Sequence, residues 1–215
     1  MRTGTPAHPI AWSGRPKDRS AVRRLRFPAV LAGAVLMGAG VAMTAWGAYI
    51  PAKAALAQVL LQRSWDAASV EGGAPPPWPW ADTRPVARIT ALGGAAETIV
   101  LSGADGRTLA FGPGHIDGTA LPGFPGHSVV AAHRDTHFKF LRQVGVGSEI
   151  TVETPGGNKV LYTVVDTRVI DARVETIALE PLGDVLSLVT CYPFDDPVPG
   201  GPLRYVVTAA VGKVF

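Results

Sequence analysis

The chain has 215 residues, of which 47% are hydrophobic and 17% are charged, and its formal net charge is +3 at pH 7. Most of the positive charge lies in residues 1–26, and no basic patch with interleaved aromatic residues follows. Nucleic-acid-binding surfaces carry such patches, so the composition argues against that class and we predict no nucleic-acid partner.

The N-terminal region has the pattern of a membrane anchor. The basic residues within 1–26 predict a cytoplasmic arm. The run 27–50 that follows contains no charged side chain. About 20 apolar residues span a bilayer, Trp46 and Tyr49 suit its far interface, and basic residues stay on the cytoplasmic side. We therefore predict a single-pass transmembrane helix at 27–50, with everything that follows outside the cytoplasm.

A cleaved signal peptide, cut near Ala45 or Ala48, is the alternative. The apolar core of a signal peptide is about 7–15 residues long, which is shorter than this run. Both interpretations place the remaining chain in an exported location.

Two segments separate the apolar run from the rest of the chain. Residues 51–70 have apolar residues at helical spacing and predict a juxtamembrane helix, which either extends the membrane span or folds back on the soluble domain. Residues 71–85 are rich in Pro and Trp and predict an extended, semi-rigid linker. Trp78 and Trp80 in that linker have an alternative role, docking on the domain or on the lipid surface.

Residues 86–215 show short strand patterns separated by Gly- and Pro-rich turns, which predict one mainly β domain, either a sandwich or a closed barrel. About eight strands are expected, together with two hairpins and one short helix. The hairpins are predicted at 98–111 and 149–165, and the helix at 136–143.

Cys191 is the only cysteine in the chain, so an exported domain would carry it without a disulfide partner in the same chain. It ends the apolar run 185–190, and a Pro-rich loop, 193–202, leads to a second strand pattern that begins at Arg204. Two neighbouring strands would place Cys191 beside Arg204. The cysteine is either a buried small hydrophobe or a thiol that is kept free for chemistry.

His133 ends another apolar run, where a strand meets a cleft, whereas His115 and His127 lie in loop-like sequence and are expected to be solvated. The spacing of His133 and His137 matches a zinc helix, but Arg134 replaces the glutamate that such a motif requires, and we predict no metal and no cofactor. A cysteine nucleophile, a histidine for proton transfer and an arginine for the oxyanion are together sufficient for acyl transfer.

Three segments in this order resemble the sortases: AHRDTHF at 132–138, TCYPF at 190–194 and RYVV at 204–207. The segments PWPWADTRPVARI and FGPGHIDGTALPGFPGHSVVAAHRDTHFKFL are most similar to the Gram-negative branch, class GN. The resemblance covers residues 86–215 and implies an eight-stranded sortase-type β-barrel behind an inner-membrane helix, facing the periplasm.

The resemblance also implies an activity, which is transpeptidation through a thioester. Cys191, His133 and Arg204 match the catalytic cysteine, histidine and arginine, and Thr190 matches the threonine before the cysteine. Ala132 stands where many members have glycine. The implied partners are a C-terminal sorting signal of another exported protein, similar to L-P-x-T-G, and an amine acceptor.

Asp195, in the loop after the cysteine, is a solvated acid or a substrate contact. Two further hypotheses stay open: a cysteine peptidase in which water resolves the same thioester, and a non-catalytic membrane-tethered binding module with a buried cysteine.

Overall fold

The N-terminal part of the chain is one long helix. The computed structural model describes residues 19–69, 72–179, 183–198 and 200–212 (the backbone alone at 19–29, 50 and 51), and in it α1 runs from Arg19 to Asp66. This helix covers the predicted span 27–50 and the predicted juxtamembrane helix as far as Asp66, and Pro51 lies inside it rather than at the start of a second one. Residues 1–18 of the predicted arm and the predicted boundary at 70 and 71 lie outside the described residues. The chain divides into two compact units, Met1–Pro51 and Ala52–Phe215.

The second unit contains a closed eight-stranded barrel, which confirms the predicted fold class. The strands follow one another around the barrel in the order β1, β2, β3, β4, β7, β8, β6, β5. The pairs β2–β3 and β4–β7 are parallel and the other neighbours are antiparallel. The strands are β1 (Pro85–Ala91), β2 (Ala96–Ser102), β3 (Gly114–His115), β4 (His127–Ala131), β5 (Glu149–Glu153), β6 (Lys159–Asp171), β7 (Val185–Cys191) and β8 (Leu203–Val211).

The predicted hairpin at 98–111 is wrong. After β2 the chain forms a short helix, α2 (Gly106–Leu109), because the Asp105 side chain accepts hydrogen bonds from the backbone N–H groups of Arg107 and Thr108 and so caps the helix. The second hairpin, β5–β6, is confirmed. The short helix expected at 136–143 is a 3-10 helix over Lys139–Gln143.

Two apolar clusters cover the two faces of the barrel wall. The interior cluster fills the barrel and includes alternate residues of β4, β7 and β8, such as Val130, Leu188 and Val207. The sequence neighbours of these residues, Val129, Val189 and Val206, point the other way and form an outer cluster with Ile170. Ile116 and Ile177 pack against this cluster. Successive side chains of a strand point to opposite faces, so the second cluster lies on the outside of the wall.

Part of the predicted linker, at Trp78 and Thr83, contacts the barrel. The Trp78 ring contacts the Phe111 ring edge-on, with centroids 5.2 Å apart, and Thr83 donates a 2.7 Å hydrogen bond to the carbonyl of Ser102. The Ser64 hydroxyl on α1 donates to the carbonyl of Pro75. Of the two roles considered for Trp78, docking on the domain is therefore the observed one.

Candidate active site

Cys191 and Arg204 face each other across β7 and β8, as the sequence predicts. They are direct partners in the antiparallel register, and the next pair along the ladder is joined by a 3.0 Å hydrogen bond from the Tyr192 N–H to the Leu203 carbonyl. Hydrogen-bonded and non-hydrogen-bonded pairs alternate, so Cys191 and Arg204 form a non-hydrogen-bonded pair. In such pairs the Cβ atoms are about 4.5–5.5 Å apart and both side chains point to the same face.

His133 lies just past the end of the strand on the other side of β7. The parallel register of β4 and β7 pairs Ala131 with Val189, and the Ala132 N–H continues it with a 3.1 Å hydrogen bond to the Val189 carbonyl. Two residues further along each strand stand His133 and Cys191. Since neighbouring strands are about 4.8 Å apart, this register brings their backbones side by side at one edge of the barrel.

The three candidate residues share one face. His133 follows Val129 and Ala131 in alternation, Cys191 follows Val189, and Arg204 precedes Val206. Because Val129, Val189 and Val206 belong to the outer cluster, the three functional groups extend its rows at the ends of three adjacent strands. His133 is exposed and Cys191 is half-buried, so both residues can be reached from solvent.

Thr190 and Ala132, the predicted supporting residues, are bonded to each other. The Thr190 hydroxyl donates a 2.7 Å hydrogen bond to the Ala132 carbonyl, and both residues are buried. Among the described residues only Leu92 is a non-glycine residue with positive φ, so the alanine at 132 needs no glycine conformation. The departure from the family pattern therefore leaves this turn unstrained.

The loop that joins Cys191 to Arg204 is held by three arginines, two of which the sequence analysis did not assign to the site. Arg204 donates from Nη1 to the carbonyls of Gly201 (2.5 Å) and Leu203 (2.9 Å). Arg142 forms a 2.5 Å ion pair with Asp195, so this predicted substrate contact already has a partner within the chain. The Arg142 guanidinium also lies over the Phe194 ring, 5.4 Å from its centroid.

Arg134 is the buried member of this set. Its Nη2 atom donates to the backbone carbonyls of Asp196 (2.5 Å) and Val198 (3.0 Å), and only 9% of the residue is exposed. Its Nη1 atom is buried and, within the part of the chain that the structure describes, makes no hydrogen bond. The residue after His133 is thus tied to the loop after Cys191. The only available signal for this in the sequence was a charged residue shortly after an apolar strand.

Two further histidines, His115 and His127, lie in buried, hydrogen-bonded positions away from the candidate site. His115 and His127 are buried, so the expectation that they are solvated is wrong. His115 Nε2 lies 2.9 Å from both the Ala120 carbonyl and the Thr119 hydroxyl, and His127 Nε2 lies 2.9 Å from the Ser187 hydroxyl. No cluster of three or more His, Cys, Asp or Glu side chains suited to a metal ion occurs within residues 19–69, 72–179, 183–198 and 200–212.

His137 lies close to the candidate site, between the end of β4 and the 3-10 helix. It is half-buried, and burial, with a smaller contribution from the neighbouring His133, lowers the pKa of its imidazole below the usual value. His137 is therefore held neutral over a wider pH range than a solvated histidine.

Comparison with known proteins assigns this arrangement to one family. A family model described as the sortase domain matches residues 88–211. Sortase D of Bacillus subtilis (strain 168) is 31% identical over 113 residues, which is 52% of this chain and 56% of that protein, so the chain spans little more than half of this curated relative.

Two solved structures show the same fold with modest sequence identity. Sortase A from Corynebacterium diphtheriae aligns with a TM-score of 0.54 and 26% identity over 63% of this chain and 64% of that one. Sortase C-1 from Actinomyces oris aligns with a TM-score of 0.53 and 29% identity over 60% of this chain and 73% of that one.

Proposed function

The chain belongs to the sortase family, whose domain model matches more than half of its length, and we propose that it is a membrane-anchored cysteine transpeptidase. Its substrate would be a C-terminal sorting signal of another exported protein, of the L-P-x-T-G type, and its second substrate an amine. The observation that carries this proposal is the meeting of three strand ends, which brings Cys191, His133 and Arg204 to one edge of the outer face. We further propose that it belongs to the Gram-negative branch.

In the first half of the reaction, the Cys191 thiolate attacks the carbonyl carbon of the scissile peptide bond and forms a C–S bond. The negative charge moves to the carbonyl oxygen, where the fixed positive charge of Arg204 stabilises it. The tetrahedral intermediate collapses by breaking the C–N bond, and His133 donates a proton to the departing amine. The product is a thioester between the substrate's carbonyl carbon and Cys191.

In the second half, an acceptor amine attacks the thioester carbon. His133 takes the proton that the amine loses, the C–S bond breaks, and Cys191 returns as a thiolate beside a new amide. Water in place of the amine would give hydrolysis.

The anchoring part of the proposal depends on the helix before the barrel. One helix is long and apolar enough to cross a membrane, and the described side chains from Val30 to Tyr49 are all exposed in the protein alone. A lipid environment would cover this surface, whereas water would leave it without a partner. The proposed topology places the barrel in the periplasm, and a membrane-impermeant thiol reagent that labels Cys191 in intact spheroplasts tests it.

Mass spectrometry tests the proposed chemistry directly. The wild-type chain and the Cys191→Ala variant are incubated with a library of sorting-signal peptides and an amine acceptor. A peptide adduct on the wild type alone, together with ligated peptide, is the expected result. Hydrolysed peptide without ligation would support the peptidase alternative. The absence of an adduct on a folded wild type whose Cys191 resists thiol labelling would support the binding module.

A further inference from the structure

A cleft of about 400 Å³ opens in the barrel domain beside the turn that follows His133. One wall is formed by residues 95–98, which include the start of β2, and the other by residues of the segment 136–143. All of these residues belong to the second unit, Ala52–Phe215. The two proposed half-reactions leave this cleft without a role.

The cleft lies on the opposite side of β4 from Cys191. One rung of the barrel crosses four neighbouring strands through Leu101, Gly114, Ala131 and Val189. Two residues beyond that rung, β7 carries Cys191, the chain after β4 carries His133 and β2 carries Ile99. Since neighbouring strands are about 4.8 Å apart, β2 lies about 10 Å from His133 and about 14 Å from Cys191. His133 therefore stands between the thiol and the β2 wall of the cleft.

The turn after His133 leads directly into the cleft. The Phe138 N–H donates a 3.0 Å hydrogen bond to the His133 carbonyl and closes a tight turn over residues 133–138. Thr136 and His137 lie on this turn and line the cleft. The charge of His133 contributes to the lowered pKa of His137, so the two imidazoles are near each other. The cleft thus begins beside the proposed proton donor.

The geometry of the proposed reaction assigns one side of the substrate to this cleft. The carbonyl carbon must lie at the Cys191 sulfur, and the scissile nitrogen beside His133, which protonates it. The chain that continues from this nitrogen then runs away from Cys191 and toward β2. An extended peptide advances about 3.3 Å per residue, so its third residue reaches a wall about 10 Å away. The acceptor amine later attacks the same carbon from the place that the departing amine has left.

The lining of the cleft suits a peptide backbone. The side chains that can donate or accept hydrogen bonds there are Glu97, Thr98, Thr136, His137, Lys139 and Gln143. A neutral imidazole offers one donor and one acceptor, and burial keeps His137 neutral over a wider pH range. Glu97 and Lys139 have opposite charges, so together they favour neither an anion nor a cation. A peptide segment, whose backbone alternates N–H and C=O groups and carries no charge, matches such a lining.

We propose that this cleft binds the peptide on the amine side of the reaction, first the departing segment of the sorting signal and then the acceptor. The inference rests on the proposed transpeptidase function. It makes the natural acceptor a peptide-like amine that extends about three residues from the reacting nitrogen, and not an isolated small amine. Water gains nothing from the cleft, so binding there favours ligation over hydrolysis.

The acceptor step can be measured apart from thioester formation. The enzyme is acylated with a sorting-signal peptide that ends one residue after the scissile bond, so that its departing part is too short to fill the cleft. Amidated glycine peptides of increasing length are then supplied as acceptors, because they are unhindered amines that differ only in backbone amides. One or two added hydrogen bonds correspond to about 5–30-fold. We expect kcat/KM for the acceptor to rise by this factor up to about three residues and then to level off.

Ala95→Trp tests the location of the site. Ala95 is exposed, lines the cleft on the wall away from His133, and has helical backbone angles (φ −72°, ψ −18°) that tryptophan can adopt. We expect the indole to fill the cleft and to remove the dependence on acceptor length. The thioester from the short substrate should still form, which shows that the variant is folded. The matched control is Ala67→Trp, at an exposed alanine directly after α1 and outside the cleft, which should keep the length dependence.

Two results would overturn the proposal: a wild type that uses short and long acceptors equally well, or an undiminished length dependence in Ala95→Trp. If the wild type forms no thioester at all, the proposed function fails, and NMR of the His137 ring tests the cleft alone. The amidated three-residue glycine peptide should then shift the ring signals in the wild type and not in Ala95→Trp. Ring signals that the peptide leaves unchanged in the wild type would overturn the binding site as well.

Discussion

The Thr190 side chain holds the turn that precedes His133. Its hydroxyl donates a 2.7 Å hydrogen bond to the Ala132 carbonyl, and only 2% of Thr190 and 6% of Ala132 are exposed. Each partner is directly followed by a proposed catalytic residue, Cys191 on β7 and His133 after β4. The bond therefore ties the two strand ends together at the point where the thiol and the imidazole must meet.

The first prediction concerns the loss of this bond. Thr190→Val keeps the shape of the side chain but removes the donor, and a buried acceptor left without its partner costs about 1–3 kcal/mol. We expect the free energy of unfolding, measured by denaturant titration in detergent, to fall by this amount. We also expect kcat for peptide ligation to fall, because the two strand ends lose their common register.

Two variants calibrate that result. Thr190→Ser keeps the hydroxyl and should retain most of the stability and of kcat. Thr163→Val, on the half-buried strand β6, removes a hydroxyl for which the described residues provide no hydrogen bond, and it should change little. Equal effects of the valine at 190 and at 163 would show that the hydroxyl bond does not position the site.

The second prediction concerns the proposed oxyanion donor. Arg204→Lys keeps a positive charge but loses the planar guanidinium, in which Nη1 holds the loop carbonyls of Gly201 and Leu203 and the second terminal nitrogen would be left for the oxyanion. Removing one oxyanion donor typically costs about 10²–10³ in kcat. We expect a loss of that size in single-turnover acylation measured by mass spectrometry, with Cys191 still open to thiol reagents. The matched control is Arg168→Lys, an exposed arginine on β6; a similar loss there, or none at 204, would contradict the assignment.

The sequence was sufficient for features that follow from local pattern. Repeated short strands and turns predicted a mainly β domain, a sandwich or a barrel, and the family resemblance implied the barrel. The pairing of Cys191 with Arg204 followed because one loop joins the two strands that carry them. The predicted hairpin at 98–111 was wrong, and the reason is also local. A Gly-Ala-Asp-Gly segment is compatible with a hairpin turn and with a helix N-cap. The Asp105 side chain forms the capping hydrogen bonds, so the chain continues as a helix.

Features that depend on distant partners were not predictable. Arg134 is held by backbone carbonyls 62 and 64 residues away, and backbone acceptors leave no trace in the side-chain sequence. His127 was expected to be solvated because of its Gly- and Pro-rich surroundings, yet it starts β4 and meets Ser187, 60 residues further on. In both cases the burial comes from the parallel neighbour or the returning loop, which local composition does not encode.

The third prediction compares Arg134 and Arg142, two of the three arginines that hold the loop after Cys191. Arg134 is buried and bonds two carbonyls, whereas the ion pair of Arg142 with Asp195 joins side chains that are 46% and 84% exposed. An exposed pair contributes about 0–1 kcal/mol, while losing a buried, charged donor that bonds two carbonyls costs more. We expect Arg134→Met to speed amide hydrogen exchange at 194–198 and to raise KM for the peptide.

Arg142→Gln is the matched control for that experiment, since it removes an arginine that contacts the same loop from the 3-10 helix. It should leave exchange at 194–198 and KM close to the wild-type values. If both variants loosen the loop equally, the burial of Arg134 is not what holds it.

The fourth prediction concerns His137, whose imidazole pKa is lowered by burial and, to a smaller extent, by His133. In the unfolded chain His137 binds a proton below about pH 6.5, whereas the folded protein resists protonation until a lower pH. Between the folded pKa and about 6.5 the unfolded state therefore holds more protons, so the free energy of unfolding falls as the pH falls through this window. His137→Gln removes this contribution, and its stability should depend less steeply on pH than that of the wild type.

Denaturant titrations of both proteins at pH values on either side of about 6.5 measure the difference between the two slopes. An NMR titration of the His137 ring in the folded wild type gives the pKa itself, which we expect below the usual histidine value. Parallel slopes for the two proteins, or a His137 ring that titrates at or above that value, would contradict the prediction. Because the lowered pKa keeps His137 neutral where a solvated histidine would begin to charge, His137 adds no positive charge beside His133 in that pH range.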